Sequence, residues 1–403
     1  MSNFSTCPGR GLSQRVNGTV AQLDPVGSRV IEPRIERLRQ QGRPVIAVHG
    51  YPLIRPPEHV IAAAHDAACH MKSAPSGGLL KLRESLARAL GEQYGAAPDP
   101  KDEILITSGA MHGLRIVLTT LLEGGDEALL ITPCYFFAGL IELAGGRVVK
   151  VRTNPGDGYA IDFHKVRSSI TERTKLIVLS SPVNPTGYVY SRSEVEEFIR
   201  LAEEFDLLLV SDESYDRMLF DGLEHLSPFH YLEARPRTIL IKSFTKSYAL
   251  PGWRVGYIAA DAELIPHFRK VLEWSLLYCP YANQCVALAA LDGPQDWLLK
   301  IFAEIEQSRG QLLRGLSSAP GYQWVTPRGG PFLFLKVCDE AGDEADIADQ
   351  LLDNFGVPAV SGRHFESAGH VRIPYGGTSK AVQELIDALV EASRVPLQST
   401  NSL

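Results

Sequence analysis

Three side chains in the middle of the sequence combine chemistry that isolated surface residues rarely share. Asp212 and Lys246 each follow a short apolar run closely, and Arg254 lies just beyond the lysine in the segment GWRVG. A lysine amine can attack a carbonyl carbon, a carboxylate can pair with a cation, and an arginine can hold a phosphate with a charge-assisted fork. Such a set suits a ligand that carries both a carbonyl group and a phosphate.

Small and polar residues accompany the ends of the other predicted strands. A strand is predicted at residues 147–152. Apolar runs at residues 103–107, 128–132, 175–180, 207–211 and 238–243 are rich in Val, Ile and Leu, as is typical of strands buried on both faces of a sheet. The residues at or just after their ends are Ser108, Gly109, Ala110, Tyr135, Asn184, Asp212, Tyr215, Ser243, Thr245 and Lys246. Ligands of open α/β sheets bind beyond the carboxyl ends of the strands, so these residues are expected to converge on one crevice.

The expected crevice contains the parts that a pyridine aldehyde phosphate requires. They are a lysine, a carboxylate, an aromatic ring, an amide, a phenol, an arginine and a phosphate nest at the start of a helix. Pyridoxal 5′-phosphate is therefore the predicted cofactor. Other interpretations stay open for single members: Asn184 precedes a proline and could mark a turn, Tyr135 could be a core aromatic residue, and Ser108 or Thr245 could cap a helix.

The predicted elements that position these residues alternate between strand and helix. A capping box at Ser191 and Glu194 starts one helix, and the apolar residues that follow have helical spacing. This order predicts an α/β fold with a mostly parallel central sheet in residues 50–296. From residue 297 a long charged helix, short strands and two further helices predict a smaller α+β domain, and one of these strands is predicted at residues 357–360. An N-terminal arm and a helix at residues 29–41, both within residues 1–49, are expected to contribute to this domain.

Composition excludes several classes of protein. The chain has 403 residues, 45% hydrophobic and 22% charged, which is typical of a globular protein of two domains. A net charge of -7 argues against nucleic acid as a partner, because phosphate neutralisation needs a basic face. No run of about eighteen apolar residues and no signal sequence is present, so a cytoplasmic protein that does not enter a membrane is expected. The six cysteines lack metal-ligand spacing and are predicted to be buried free thiols, and a pair between two distant cysteines stays an open alternative.

Five segments, in this order along the chain, resemble the motif set of the class I/II aminotransferases of fold type I. They are TSGA, SPVNPTG, SDESY, SFTKSYALPGWRVGY and VRIPY. The likeness extends from about Leu12 to the last predicted helix. It implies a large domain with a mostly parallel seven-stranded sheet, a smaller α+β domain and pyridoxal 5′-phosphate held covalently by Lys246.

The resemblance implies a role for each matched residue around the cofactor ring. Lys246 forms the Schiff base and then moves a proton between the substrate Cα and the C4′ atom of the cofactor. Asp212 pairs with the protonated ring nitrogen, and Tyr135 stacks on the ring. Asn184 and Tyr215 hydrogen-bond the phenolic oxygen and so tune the pKa of the Schiff base.

The resemblance also implies how the phosphate and the substrate are held. The phosphate-binding residues are Arg254, Ser243, Gly109 and Ala110, with Ser108 and Thr245 as additions. Arg372, in VRIPY, binds the substrate α-carboxylate in bidentate fashion, Gly50 lies beside that carboxylate, and Asn184 belongs to the same substrate site. The implied assembly is a homodimer, since the active sites of this family lie at a subunit interface.

Three segments depart from the usual family pattern, and all of them face the substrate or the partner subunit in the family. Ser73 occupies the position of a tyrosine that usually reaches the neighbouring subunit's phosphate. Residues 51–54 differ from the family's usual segment at the mouth of the substrate site. Residues 374–377, which follow Arg372, also differ from the residues that the family usually has there. The predicted reaction is transfer of an amino group between an L-amino acid and a 2-oxo acid. A lyase, a γ-replacement enzyme or a cyclase acting on a modified amino acid stays an alternative, because reaction type depends on these segments.

Other functional classes lack their motifs in this chain. A regulator with an aminotransferase-like sensor domain would need an additional DNA-binding domain, and the catalytic-type pattern here begins almost at once. A nicotinamide dehydrogenase would need GxGxxG after a strand, a zinc peptidase HExxH, and a serine hydrolase of the α/β class GxSxG. The sequence does not identify the amino donor or the acceptor.

Overall fold

The structure, a computed structural model, describes residues 12–51, 54–70, 72–317, 319–337 and 344–395. Pro52 and Leu53 of the expected mouth segment, as well as Cys7 and Cys338, lie outside these residues. Among the described cysteines, Cys134 and Cys279 are buried free thiols as predicted and Cys285 is half-buried. Cys69 is exposed, contrary to the prediction, because it lies at the surface end of a helix.

The larger sheet has seven strands among the described residues. They are β1 (Ile104–Thr107), β2 (Glu127–Thr132), β3 (Arg147–Arg152), β4 (Thr174–Ser180), β5 (Leu208–Asp212), β6 (Thr238–Ser243) and β7 (Gly256–Ala259). Their order is β1-β7-β6-β5-β4-β2-β3, and only β7 runs antiparallel to its two neighbours. The predicted α/β class with a mostly parallel seven-stranded sheet is confirmed.

The described helices cover both faces of this sheet, and some of them pack with a second, smaller sheet in a second layer. In chain order they are α1 (Gly18–Gln22), α2 (Glu32–Gln40), α3 (Glu58–Ala68), α4 (Leu80–Tyr94), α5 (Ala110–Leu121), α6 (Phe137–Leu143), α7 (Phe163–Ser168), α8 (Arg192–Glu204), α9 (Phe244–Ser247), α10 (Ile265–Ser275), α11 (Tyr281–Asp292), α12 (Asp296–Leu316), α13 (Glu344–Phe355) and α14 (Ser379–Ala392). The predicted capping box begins α8: the Ser191 hydroxyl accepts from the Glu194 amide, and the Glu194 carboxylate accepts from the Ser191 amide. No described helix combines the length and the apolar character needed to cross a membrane.

A second sheet of four antiparallel strands lies in the C-terminal part of the described chain. Its strands are β8 (Tyr322–Trp324), β9 (Phe332–Val337), β10 (Val360–Ser361) and β11 (His370–Pro374), in the order β10-β11-β9-β8. The strand predicted at residues 357–360 begins only at Val360. The reason is local: the amides of Val357 and Ala359 donate to Leu351 and to Val357 itself, so they are not available to a sheet.

The N-terminal residues pack on this second layer. A single helix predicted at residues 29–41 is instead a 3₁₀ turn, Gly27–Val30, followed by α2. Arg34 of α2 forms ion pairs with Asp349 and Asp353 of α13. One apolar cluster joins Leu82 and Leu240 of the larger layer to residues of the second sheet and its helices. Because this cluster spans both layers, it does not mark where one domain ends, and the domain limits at residues 49/50 and 296/297 stay a prediction.

Candidate active site

The loops at the carboxyl ends of β5 and β6 bring Asp212 and Lys246 together. Asp212 is the last residue of β5 and pairs in register with Ile241 of β6. Lys246 lies in α9, a single helical turn that begins directly after β6 and is capped by the Ser243 hydroxyl, which accepts from the Thr245 amide at 3.0 Å. The short connection from strand to turn leaves the lysine at the edge of the sheet next to Asp212.

Lys246 is half-buried in a crevice walled by aromatic rings. Its Nζ donates to the Gly50 carbonyl oxygen at 3.1 Å and lies 4.6 Å from the ring centre of Tyr51 and 5.5 Å from that of Tyr215. Desolvation, together with the positive charges of Arg372 and Arg254, lowers the pKa of Lys246 to about 7, although Asp212 opposes this shift. A large fraction of this amine is therefore unprotonated near neutral pH.

Asp212 is buried and held by one neighbouring residue. Its Oδ1 accepts from the Ser214 amide at 3.0 Å and from the Ser214 hydroxyl at 2.6 Å. Desolvation raises the pKa of Asp212 to about 6, while the Ser214 hydrogen bonds and Lys246 oppose the shift. A cation placed against this carboxylate would favour its ionised form.

A backbone cradle opens at the start of α5, next to Arg254. Gly109 precedes α5 with a φ of 85°, a conformation that favours glycine, and a Cβ atom there would lie 2.7 Å from Nη2 of Arg254. Arg254, exposed to the crevice, donates from Nη1 to the Thr245 hydroxyl at 3.2 Å. The Ser108 hydroxyl donates to the Arg254 carbonyl oxygen at 3.4 Å. Amides at a helix start beside a guanidinium are suited to hold a phosphate.

Arg372 lies on β11 at the other side of the crevice. Its side chain is buried, and its guanidinium lies 4.5 Å from the ring centre of Phe332 and 4.8 Å from that of Phe365. Nη1 donates to Oδ1 of Asn184 at 3.2 Å, whereas the buried Nε has no hydrogen-bond partner among the described residues. Burial lowers the pKa of this guanidinium. A buried donor without a partner indicates that a ligand oxygen belongs here.

Two tyrosines complete the crevice. Tyr215 is buried with its ring 5.7 Å from that of Phe332, and Tyr135 is half-buried with its ring 4.7 Å from that of Phe136. Burial raises the pKa of both phenols, so each keeps its proton at neutral pH. Each phenol can therefore donate a hydrogen bond to an anionic oxygen. The described residues contain no group of three or more His, Cys, Asp or Glu side chains suited to a metal ion.

A family model described as "Aminotransferase class I and II" matches residues 50–389. The chain belongs to this family. Among its relatives is an aspartate/prephenate aminotransferase of Thermus thermophilus, 34% identical, with 94% of this chain and 97% of the relative aligned. A probable aspartate aminotransferase of Methanocaldococcus jannaschii is 33% identical, over 85% of this chain and 91% of the relative. A solved Thermus thermophilus aspartate aminotransferase with maleate superposes with a TM-score of 0.88 at 32% identity, covering 95% of this chain and all of that one.

These similarities confirm the predicted family, the fold type I architecture and the aminotransferase activity. They do not favour the lyase, γ-replacement or cyclase alternative. The structure brings Gly50 to Lys246 and Asn184 to Arg372, and the roles predicted for the site residues stay a prediction. Ser73, noted as a departure, is exposed.

The structure adds residues that sequence reasoning did not assign to the aminotransferase site. Phe332 and Phe365 hold the faces of Arg372, and the Tyr51 ring approaches Lys246. The apolar run Phe332–Leu335 in β9 is typical of a buried strand, but no local signal connects Phe332 with an arginine far along the chain. Gly256 is the fourth such residue, because a Cβ there would lie 2.7 Å from the Gly109 carbonyl carbon and 2.8 Å from the Ala110 nitrogen.

Replacing Gly256 with alanine is expected to displace the cradle backbone. The contacts of the added methyl group are backbone atoms, which cannot rotate away, so a destabilisation of about 1–3 kcal/mol is expected. Weaker cofactor binding should accompany it, and urea unfolding and a fluorescence titration of the apoenzyme with pyridoxal 5′-phosphate measure the two effects. Gly252→Ala is the matched control, because its Cβ would meet no atom within 4 Å. Equal cofactor affinity in both variants would contradict the close approach of β7 to the cradle.

Proposed function

We propose that this aminotransferase holds pyridoxal 5′-phosphate in the crevice and transfers an amino group between an L-α-amino acid and a 2-oxo acid. The observation that supports this most directly is the Lys246 amine with a pKa of about 7, which has the Asp212 carboxylate, Arg254 and Arg372 as its charged neighbours. The lysine can bond to the aldehyde of the cofactor, and the acid can pair with its ring nitrogen. One arginine can hold the cofactor phosphate, and the other can hold the substrate carboxylate.

The residues present fit this cofactor. The cradle at Gly109 and Ala110 is open because neither Gly109 nor Gly256 carries a Cβ atom. Arg254 and the Thr245 hydroxyl lie beside it, and the Ser243 side chain caps α9 next to them. When bound, pyridoxal 5′-phosphate supplies an electron sink that makes the hydrogen on the substrate Cα acidic.

The side chains of the crevice then divide the work of proton transfer and orientation. Lys246, unprotonated above about pH 7, can accept the proton from the substrate Cα at Nζ and, with the cofactor bound, would pass it to the C4′ atom. Asp212, ionised above about pH 6, holds a positive charge on the ring nitrogen. Arg372 binds the α-carboxylate with Nη and with the unpartnered Nε, while Asn184 keeps the guanidinium in place. The aromatic walls exclude water from the reacting atoms.

The similarities suggest which substrates to test first. The Thermus thermophilus relative is named for aspartate and prephenate. In this chain the walls that face Lys246 and Arg372 are rings of Tyr51, Tyr215, Phe332 and Phe365. Aspartate and aromatic amino acids are therefore the first donors of a screen, with 2-oxoglutarate and prephenate as acceptors.

The purified protein with its cofactor tests the proposed function in two half-reactions. An amino acid added alone is expected to convert the bound cofactor from its aldehyde to its amine form, and a 2-oxo acid added afterwards is expected to restore the aldehyde. The absorbance of the cofactor and the mass of the new amino acid follow the two steps. Ammonia release, or a ring-closed product with the aldehyde form retained, would contradict amino transfer.

We also propose that two copies of the chain assemble as a dimer. Trp274, Leu276 and Leu277, at the end of α10, are 93%, 42% and 63% exposed, which is unusual for three large apolar residues so close together. Ser275 in their midst lies 2.9 Å from Nε2 of His112 in α5, so this patch borders the cradle. Sedimentation equilibrium is expected to give twice the chain mass, and Trp274→Glu is expected to reduce it. A monomer that is fully active would contradict the proposal.

A further inference from the structure

A second cluster of charged side chains lies behind Asp212 and has no part in the chemistry described above. Its centre is Lys242 of β6, whose side chain is only 6% exposed. The Lys242 Nζ lies 2.6 Å from Oδ2 of Asp216, a side chain that is 1% exposed, and donates to Oε1 of Gln93 at 2.8 Å and to the Tyr94 hydroxyl at 3.2 Å. A buried ion pair has a high desolvation cost, so it is weak evidence for stability and calls for another explanation.

Glu213 extends the cluster on the same side of the sheet. This fully buried carboxylate accepts from the Tyr94 hydroxyl at 2.6 Å and from the Ser211 hydroxyl at 2.8 Å, and Nε2 of His225 lies 2.6 Å away. Burial alone would raise the pKa of Glu213, but the charges of His225 and Lys242 hold it below its ordinary value. The cluster therefore keeps two carboxylates ionised in the protein interior.

The strand geometry separates this cluster from the crevice. Successive residues of a strand point to opposite faces, so Lys242 and Ser243 lie on opposite faces of β6. Asp212 pairs in register with Ile241, which puts it on the same face as Ser243, and Glu213 follows it on the other. The reacting groups and the charged cluster thus lie on opposite faces of the sheet, at the ends of the same two strands.

Hydrogen bonds connect the cluster to both reacting residues. The Ser247 hydroxyl, next to Lys246 in α9, donates to Oδ1 of Asp216 at 2.6 Å and lies 3.4 Å from the Ser214 carbonyl oxygen. Ser214 in turn donates its amide and its hydroxyl to Asp212. One continuous path therefore runs from Lys242 through Asp216 and Ser247 to the turn that carries Lys246 and to the loop that holds Asp212.

This path matters because α9 is too short to hold itself in place. A helix of four residues has almost no internal hydrogen bonds, so its position depends on its side-chain contacts. Ser243 caps its beginning, and the Asp216 carboxylate accepts from Ser247 at its end. The other oxygen of this carboxylate is held by the Lys242 ammonium at 2.6 Å and by Nε2 of Gln93, which donates to it at 3.2 Å. Lys242 is the charged one of these two donors, so it holds the acceptor more strongly than the neutral amide does.

We propose that Lys242 is a positioning residue: its ion pair with Asp216 fixes the acceptor of Ser247, and thereby the turn from which Lys246 reaches the cofactor. The inference rests on the proposed function, since it needs Lys246 to react with pyridoxal 5′-phosphate. It adds a lysine, an aspartate and a serine that touch neither cofactor nor substrate.

The surroundings of the pair make its variants practical. Lys242 and Asp216 line a cavity of about 630 Å³ together with Arg217, Tyr248 and Tyr257, and this space can accept the larger side chain of Lys242→Arg. The charged and titratable groups that face the pair are Tyr94, Glu213, His225, Arg217, Tyr248, Tyr257, Arg88, Glu92 and Asp292. Those that face Lys246 are Asp212, Arg254, Arg372, Tyr51 and Tyr215.

The test uses the holoenzyme of Lys242→Met, Ser247→Ala and Lys242→Arg. Lys242→Met is expected to raise the midpoint of the pH titration of the cofactor absorbance by about half a unit, because a positive charge is lost and the charge of Asp216 is no longer balanced by an ion pair. It should also weaken cofactor binding about tenfold and lower kcat more than it changes KM. Ser247→Ala should weaken binding and lower kcat in the same way without a change of charge, whereas Lys242→Arg should keep all three values.

Glu127→Gln is the control for a variant that loses stability without displacing α9 and Lys246. Glu127 is another buried carboxylate, held by Arg147 and Arg173 at 3.0 Å each, but it lies at the amino end of β2, opposite the crevice. This variant should melt at a lower temperature with the same titration midpoint and cofactor affinity as the wild type.

The outcomes separate the inference from the proposed function. If Lys242→Met and Ser247→Ala melt earlier but keep the midpoint, the affinity and kcat, the ion pair is only structural and the inference is wrong. If Lys242→Met does not fold, Ser247→Ala and Lys242→Arg decide by the same readouts. A wild-type protein that shows no cofactor absorbance at all would overturn the proposed function instead.

Discussion

Replacing Lys246 with alanine is expected to abolish covalent attachment of the cofactor and to lower amino transfer by at least about 10³-fold. The variant loses both the amine that bonds to the aldehyde carbon and the base that moves the proton at Cα. Reduction of the wild-type holoenzyme with borohydride, followed by peptide mass mapping, is expected to place the cofactor on residue 246. Lys242, the other lysine at the end of β6, serves as an internal control and is expected to stay unlabelled, because it lies on the opposite face of the strand.

The rate of attachment gives this prediction a pH signature. The folded-state pKa of Lys246 is lowered from 10.5 to about 7, so the free amine, and with it the attachment rate of the apoenzyme, should rise through about pH 7. The unfolded chain binds more protons than the folded one between these two values. The contribution of this group to apoenzyme stability therefore increases with pH across that range. Attachment at a residue other than 246, or a midpoint close to 10.5, would contradict the assignment.

Much of the larger sheet can be predicted from the sequence because its strands are buried on both faces. The runs at residues 175–180 and 238–243 differ from β4 and β6 by one residue at most. No predicted strand corresponds to β7, although the resemblance implies a sheet of seven strands. Strand β7 has four residues and begins with Gly256, and it follows a tight turn at Pro251–Trp253, so its apolar segment, residues 255–260, is short and interrupted by a glycine. Its role as the antiparallel strand between β1 and β6 depends on contacts that are distant in sequence.

The candidate site divides in the same way between local and distant information. Strand ends predicted the convergence of Asp212, Asn184 and Lys246, because the carboxyl ends of parallel strands meet at one edge. The aromatic faces around Arg372 could not be predicted, since Phe332 lies in β9 and Phe365 in the 3₁₀ turn Gly362–Phe365, and both reach the guanidinium only in the folded chain. Sequence reasoning could name them as apolar residues but not as neighbours of a guanidinium.

Asp212 and Glu213 show that a shift of one residue along a strand places an acid on the other face of the sheet and so changes its chemistry. Both are acids at the end of β5, and composition does not distinguish them. Their alternation puts Asp212 toward Lys246, with a pKa raised to about 6 by burial, and Glu213 toward Tyr94 and His225, where positive charge lowers its pKa. The first carboxylate is ready to pair with an arriving cation, whereas the second already has its partners.

Replacing Arg372 with leucine is expected to lower kcat/KM for amino acids by about 10²- to 10³-fold, which corresponds to the loss of a buried charge-assisted contact of about 3–4 kcal/mol. Leucine can occupy the apolar space between Phe332 and Phe365, so the melting temperature should change little. A lysine at this position cannot form the fork, and Arg372→Lys is therefore expected to fall between the wild type and the leucine variant.

Substrate amides distinguish a carboxylate-binding role of Arg372 from a role in folding. The buried Nε without a partner and the Nη1 bonded to Asn184 leave the guanidinium with donors for a carboxylate but with no acceptor for an amide N–H. The wild type is therefore expected to discriminate strongly between an amino acid and its α-amide, and Arg372→Leu should lose most of this discrimination. If the carboxylate binds to Arg372, the preference for the free acid comes from the buried donors of this guanidinium and is lost with them. A leucine variant that still prefers the free acid by the wild-type factor would therefore show that another residue binds the carboxylate.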